Sequence, residues 1–154
     1  MTWKSTAMSP KKIFILNGPN LNRLGTREPH IYGHITLAQV KEQCEHKAQS
    51  LGLLLDFRQS NFEGEIIQSI HDAIDHGHGI VINPAGLTFT SVSIMDALKM
   101  FEGPKIELHI SNVHAREATY HHSLMSKAVT AVMAGLGTRG YGLALDWMAE
   151  RLKE

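Results

Sequence analysis

Five short apolar runs, each trailed by a segment of helical periodicity, leave this chain few folds to choose from. Lys12–Leu16, Leu53–Phe57, Gly79–Ile82, Lys105–Ile110 and Val129–Met133 read as strands. Thr36 caps a helix whose Leu37, Val40, Cys44, Ala48 and Leu51 recur at helical spacing up to Gly52. Ile66, Ile67, Ile70, Ala73 and Ile74 mark the inner face of a second helix, which stops at Gly77. Ser91–Phe101, the His114–Lys127 region and Tyr141–Leu152 are expected to be helical too. Strands that are apolar throughout, separated by amphipathic helices, imply a parallel sheet covered on both faces. The right-handed crossover rule then favours an α/β, flavodoxin-like doubly wound sheet of five strands in a single domain. Residues 11–154 form that domain, and residues 1–10 are expected to be a disordered tail without the apolar stretch of a signal peptide.

In such sheets ligands bind beyond the carboxyl ends of the strands. Each run here passes directly into a polar or glycine-rich segment: N-G-P-N after the first, Q-S-N after the second and N-P-A-G after the third. H-I-S-N closes the fourth, and G-L-G-T-R-G follows the fifth. All five should converge on one site. The first continues to Gly33 and packs three glycines, two prolines, three asparagines, two arginines and a tyrosine into a loop with little apolar content. Core packing does not explain such a loop, and a site does.

Composition removes several classes. Lys+Arg and Asp+Glu balance at 15 each, so no charge excess points to nucleic acid or an anionic membrane. No apolar run approaches transmembrane length. Cys44 is the only cysteine, which excludes a disulfide framework and a thiolate zinc site and suits a reducing cytoplasm. G-L-G-T-R-G matches the dinucleotide-binding pattern, but neither the following strand nor the acidic residue about 20 positions on is present. Its glycines are read as turn and close-packing residues. His109, His114, His121 and His122 are neighbours in sequence, yet none has the H-E-x-x-H spacing or a cysteine partner, so no metal is expected. His71, His76 and His78 are read as surface or capping residues.

Two constellations carry chemistry. On a strand, Glu107 and His109 point to the same face. A carboxylate beside an imidazole fixes its tautomer and favours its protonated form, as a general acid requires. A structural Glu–His pair is the alternative, but two polar groups ending an apolar central strand favour function. The second constellation is Tyr32 with Arg27 and Arg116. A phenol titrates near pH 10, so a base working near neutrality needs that value lowered by about 2–3 units, or about 3–4 kcal/mol. Two arginines in a water-poor site can supply it, whereas one exposed arginine cannot.

Five ordered motifs carry a resemblance along Lys12–Leu152: N-G-P-N-L-N-R-L-G-T-R-E-P-H-I-Y-G, Q-S-N-F-E-G, I-N-P-A-G-L-T, E-L-H-I-S-N-V-H-A-R-E and G-L-G-T-R-G-Y. Together they resemble the type II 3-dehydroquinate dehydratases. The resemblance implies a flavodoxin-like subunit, commonly assembled as trimers within a dodecamer, with no metal or organic cofactor. It also implies loss of water from a cyclic hydroxy-ketone carboxylate by anti elimination through an enolate. By position, Tyr32 would be the base, held as phenolate by Arg27 and Arg116, and Asn20 would position a water at the enolate oxygen. His109, oriented by Glu107, would protonate the departing hydroxyl. The backbone at Ile110 and Ser111 would hold the carboxylate, Asn83 the substrate hydroxyls, and Asp96 would reach a neighbouring subunit's site. The loop from Arg27 to Tyr32 resembles the family's mobile lid.

Two departures bear on the substrate. Where the family normally reads L-T-H-T-S, this chain has Phe89 in place of the imidazole, and Tyr120 stands where an arginine is usual. Met95 also replaces a common arginine. Each lost hydrogen-bond partner costs about 1–3 kcal/mol if a substrate hydroxyl stays buried and unpaired, enough to reduce turnover a hundredfold or more. Alternatively, Tyr120 with His121 or His122 satisfies the same groups. Three functions follow: dehydration of 3-dehydroquinate, in biosynthesis or quinate breakdown; the same chemistry, as dehydratase or hydratase, on a related cyclic β-hydroxy ketone; or a catalytically silent protein binding a small anion. Retention of a base–acid set argues against the last. An FMN-binding role is weaker still, because the first loop lacks a Ser/Thr-rich phosphate cradle.

Overall fold

A computed structural model of the chain describes residues 9–26 and 28–154, and the side chain of Tyr32 lies outside that description. All five expected strands form: β1 (Lys12–Asn17), β2 (Leu54–Gln59), β3 (Gly79–Asn83), β4 (Lys105–His109) and β5 (Ala131–Ala134). Every pairing is parallel and the order is β2-β1-β3-β4-β5. That order makes the chain a flavodoxin-like, doubly wound α/β domain. Among the described residues, five α-helices accompany the sheet: α1 (Pro29–Tyr32), α2 (Leu37–Ser50), α3 (Glu63–His76), α4 (Val92–Met100) and α5 (Arg139–Arg151).

Side-chain alternation along the strands divides the core into two layers. Ile13, Ile15, Val81, Ile106 and Leu108 face α2 and α5, where Val40, Cys44, Ala144, Leu145 and Met148 meet them. Phe14, Leu16, Ile80 and Ile82 face α3 and α4, against Ile66, Ile70, Ile94 and Leu98. Local chemistry sets the helix ends. Thr36 and Gln39 form a capping box, with Gln39 N–H donating to Thr36 Oγ1 at 3.2 Å and Thr36 N–H to Gln39 Oε1 at 2.9 Å. Ser91 Oγ accepts from Ile94 N–H at 3.0 Å to start α4 and also donates to a carboxylate oxygen of Glu63.

The expected helix over His114–Lys127 does not form. Three 3₁₀ turns stand there instead, at Val113–Ala115, Ala118–Tyr120 and Ser126–Ala128. Polar side chains compete for the backbone: Asn112 Oδ1 accepts from His114 N–H at 3.2 Å, and Ser123 Oγ accepts from Met125 and Ser126 N–H at 3.0 and 3.1 Å. Leu124 N–H donates across to Thr88 O at 2.9 Å, which no helix would allow. Smaller corrections concern boundaries. β5 begins at Ala131 rather than Val129, and α5 begins at Arg139 rather than Tyr141. Ile74, expected on the inner face of α3, is 38% exposed at its rim.

Candidate active site

The register aligns the polar strand ends. Asn17 pairs with Gln59 on one side and Asn83 on the other. The loops leaving β1 and β3 press together there: Gly18 N–H donates to Asn83 O at 2.8 Å, and a Cβ on Gly18 would lie 2.4 Å from Pro84 O. Only glycine permits that approach. Beneath it lies a buried chain of hydrogen bonds. Tyr141 O–H donates to Asn17 Oδ1 at 2.6 Å, Asn83 Nδ2 donates to the Tyr141 oxygen at 3.2 Å, and Asn17 Nδ2 donates to Arg58 O at 3.0 Å. Burial pushes the Tyr141 phenol well above its ordinary value despite the Asn83 contact, so it remains a neutral donor. Asn83 Oδ1 accepts from Ala85 N–H at 3.2 Å. Asn20 and Ala85 hold left-handed backbones, with φ of 71° and 53°, at the two loops' turning points. Such strain concentrates at functional sites.

At the end of β4, Glu107 and His109 are buried together, 1% and 6% exposed. His109 Nε2 lies 2.7 Å from Glu107 Oε2. A carboxylate oxygen only accepts there, so Nε2 carries the proton. Glu107 Oε1 accepts from Ser123 Oγ at 2.8 Å and Ser126 Oγ at 3.0 Å. Burial pushes the Glu107 carboxyl up, but the His109 bond and charge and the two hydroxyls outweigh it, leaving Glu107 below the usual carboxylate range.

These strand ends enclose a cavity of about 130 Å³. Asn20, Asn83, His109 and Arg116 line it, as do Ile110, Ser111, Phe89 and Tyr120. Eight of the twelve residues expected from sequence are therefore brought together. The Ile110 side chain packs into the core below, so its offering to the cavity is backbone. The G-L-G-T-R-G loop braces that backbone: Gly135 N–H donates to His109 O at 3.3 Å and Gly137 N–H to Ile110 O at 3.0 Å. Gly135 and Gly137 take φ of 88° and 63°, the turn role expected of them. Glu107 sits behind His109, away from the cavity lining. Asp96 is exposed on α4, outside the cavity. Arg27 lies outside the described residues; Tyr32 ends α1, with its side chain outside them. A larger cavity, about 460 Å³ between α2 and α5, holds none of the expected site residues. Among the described residues no cluster of three His, Cys, Asp or Glu is arranged to hold a metal ion, and no helix is long and apolar enough to cross a membrane.

The sequence model of the Dehydroquinase class II family matches residues 11–149. The chain belongs to that family. Among dehydroquinase relatives, the 3-dehydroquinate dehydratase of Rhodopseudomonas palustris (strain BisA53) is 52% identical over 144 residues, 93% of this chain and 95% of that one. A catabolic 3-dehydroquinase 1 of Fusarium vanettenii is 54% identical over 140 residues, 91% and 97% of the two chains. The crystal structure of the type II dehydroquinase from Propionibacterium acnes superposes with a TM-score of 0.89 at 46% identity, covering 93% of this chain and 98% of that one.

Within this dehydroquinase chain, the two departures build one aromatic wall. The Phe89 ring stacks on the His109 imidazole, with centroids 6.3 Å apart and planes at 22°. Tyr120 meets Phe89 edge-on at 5.5 Å, and the Arg116 guanidinium lies 3.9 Å above the Tyr120 ring. His121 does not supplement that wall: its Nε2–H donates to Arg116 O at 2.7 Å.

Sequence reasoning missed Ser123, Ser126 and the role of Tyr141. Nothing local marks the serines, whose bonds to Glu107 span 16 and 19 positions. Tyr141 stands at the end of the last family motif, and that was its only signal. Tyr141→Phe leaves Asn17 Oδ1 without its donor and Asn83 Nδ2 without its acceptor in a buried site. The expected cost is about 2–4 kcal/mol, read as a lower denaturant midpoint at unchanged slope.

Proposed function

We propose that this chain is a hydro-lyase converting 3-dehydroquinate to 3-dehydroshikimate by anti elimination through an enolate. The carrying observation is the buried Glu107–His109 pair opening onto a pocket that also holds Asn20, Asn83, Ser111 and Arg116. Relatives named for that activity, at about half identity over most of the chain, support the reading. In the proposed sequence, the Tyr32 phenolate, held ionised by Arg27 and Arg116, takes the proton alpha to the ketone. The C–H electrons form the enolate, whose oxygen is met by a water on Asn20. The enolate then collapses, the β C–O bond breaks, and His109, entering the cycle as the imidazolium, gives its Nδ1 proton to the departing hydroxyl while Nε2 keeps its proton on Glu107. Tyr32 later releases a proton and His109 regains one, so the balance is one molecule of water lost. The backbone at Ile110–Ser111 holds the substrate carboxylate and Asn83 its hydroxyls.

Purified protein mixed with 3-dehydroquinate should develop the ultraviolet absorbance of the conjugated enone product. An absence of turnover sinks this assignment.

A second reading rests on the Phe89–Tyr120 wall. Neither Phe89 nor the apolar face of Tyr120 pairs a ring hydroxyl, so the same chemistry would favour a cyclic β-hydroxy ketone with fewer hydroxyls at that end. Phe89→His with Tyr120→Arg should then raise kcat/KM for 3-dehydroquinate about ten- to hundredfold. No gain, with robust turnover by the unmodified protein, removes the second reading.

The assembly is proposed to be a homo-oligomer of trimers, up to a dodecamer. Val92, Asp96 and Met100 repeat every four residues on the outer face of α4, and Val92 and Met100 are 54% and 53% exposed. That apolar stripe around Asp96 supports a subunit contact there. A cytoplasmic location is proposed from the single buried cysteine.

A further inference from the structure

We infer that Ser123 and Ser126 are positioning residues for the proton donor, clamping Glu107 so that it holds His109 in one orientation, with Nε2 on Glu107 and Nδ1 towards substrate. The inference rests on the reading of His109 as the acid. Three hydrogen bonds converge on a carboxylate that is 1% exposed: His109 Nε2 at 2.7 Å on Oε2, with Ser123 Oγ at 2.8 Å and Ser126 Oγ at 3.0 Å on Oε1. The Ser123 bond is directional. Its oxygen already accepts from the N–H groups of Met125 and Ser126, at 3.0 and 3.1 Å, so its single proton is committed to Glu107.

The consequence reaches the pocket. A carboxylate held by one oxygen alone can turn about its terminal bond, and the imidazole on the other oxygen turns with it. With Oε1 pinned twice, Oε2 stays aimed at Nε2 and holds a proton there, so Nδ1 is the ring nitrogen left for substrate, and the proton given to the departing hydroxyl is the second one, carried on Nδ1 by the imidazolium. The serines also belong to the chain segment that brings Arg116 and Tyr120 to the cavity. The same two bonds therefore set the acid against the wall and the cation it works beside.

The surroundings of Glu107 are as follows. His109 shares its strand; His114, His121, His122 and Lys127 line a cavity of about 420 Å³ behind it, on the segment that carries the serines. β3 and β5 present Ile82 and Val132 to it in register. Burial raises the Glu107 carboxyl, and the His109 contact and then the two hydroxyls bring it below the ordinary range. An anion that loses donors holds its proton more tightly, so removing the hydroxyls moves its titration upward.

The test compares Ser126→Ala, the Ser123→Ala/Ser126→Ala double variant and Ser126→Thr, which keeps a hydroxyl. Three quantities are read in each folded protein: the thermal midpoint, kcat and KM with 3-dehydroquinate, and the Glu107 titration by carboxyl carbon-13 NMR, assigned with Glu107→Gln. The double variant should lose about tenfold or more in kcat with KM within about twofold, and its Glu107 midpoint should rise by about one pH unit. Ser126→Thr should recover the kcat and the Glu107 midpoint that Ser126→Ala loses. Unchanged titration in a folded double variant overturns the clamp, as does a loss confined to KM. If the double variant does not fold, Ser126→Ala alone is judged by the same titration and the same kcat–KM split. A raised Glu107 midpoint alongside full activity in His109→Ala supports the clamp while removing His109 as the acid.

Discussion

His109→Ala is expected to lower kcat for 3-dehydroquinate by about 10²–10⁴-fold, the span typical of losing a positioned general acid. Hydroxide is a poor leaving group, and the enolate reverts to ketone unless the departing oxygen is protonated as its bond breaks. The side chain that would do so is buried at 6% exposure, and its Nε2 is already committed to Glu107. KM should change little, because Asn20, Asn83, Ser111 and Arg116 still line the pocket. A control separates chemistry from collapse. A substrate analogue carrying fluoride in place of the departing hydroxyl needs far less protonation, so the variant should process it with a much smaller deficit. Equal deficits on both substrates count against an acid role. Phe89 stacks on this imidazole, so some loss of stability is expected, and circular dichroism at the assay temperature checks that the fold survives.

The sheet and most of the pocket were legible because they depend on local periodicity and on strand ends. Apolar runs with helical intervals dictate a parallel sheet, and its carboxyl edge gathers whatever polar residues terminate the strands. Asn20, Asn83, His109 and Ser111 reached one cavity for that reason. The segment from His114 to Lys127 has the spacing of a helix but does not form one, because its conformation is decided by side chains bonding to backbone, as at Asn112 and Ser123. Helical spacing alone carries no signal of that competition. The same spacing conceals the clamp, since a continuous helix would not suggest both serines meeting one carboxylate. Phe89 and Tyr120 were visible as departures from a family pattern, yet their edge-on contact is a fact of the fold: it depends on the turn at Ala85–Phe89 meeting the turn at Ala118–Tyr120.

Tyr32→Phe is expected to lower kcat by about 10³-fold and to abolish exchange of the substrate's alpha proton with deuterated solvent. The second readout distinguishes this variant from His109→Ala. An enzyme lacking only its acid still forms the enolate and still exchanges that proton, whereas an enzyme lacking its base does neither. The sign of the pH dependence follows from the same chemistry. The base is competent only as phenolate, so activity falls as pH drops through its titration; near-neutral function requires that value to lie about 2–3 units under the ordinary phenol. Arg116, at the pocket wall beside Tyr120, and Arg27 are proposed to supply the charges this needs. Replacing Arg27 with alanine should therefore move the acidic limb of kcat to higher pH while leaving proton exchange detectable above it. Tyr32→Phe should remove that limb altogether. Retained exchange in Tyr32→Phe transfers the role of base to another residue and leaves the Glu107–His109 assignment standing.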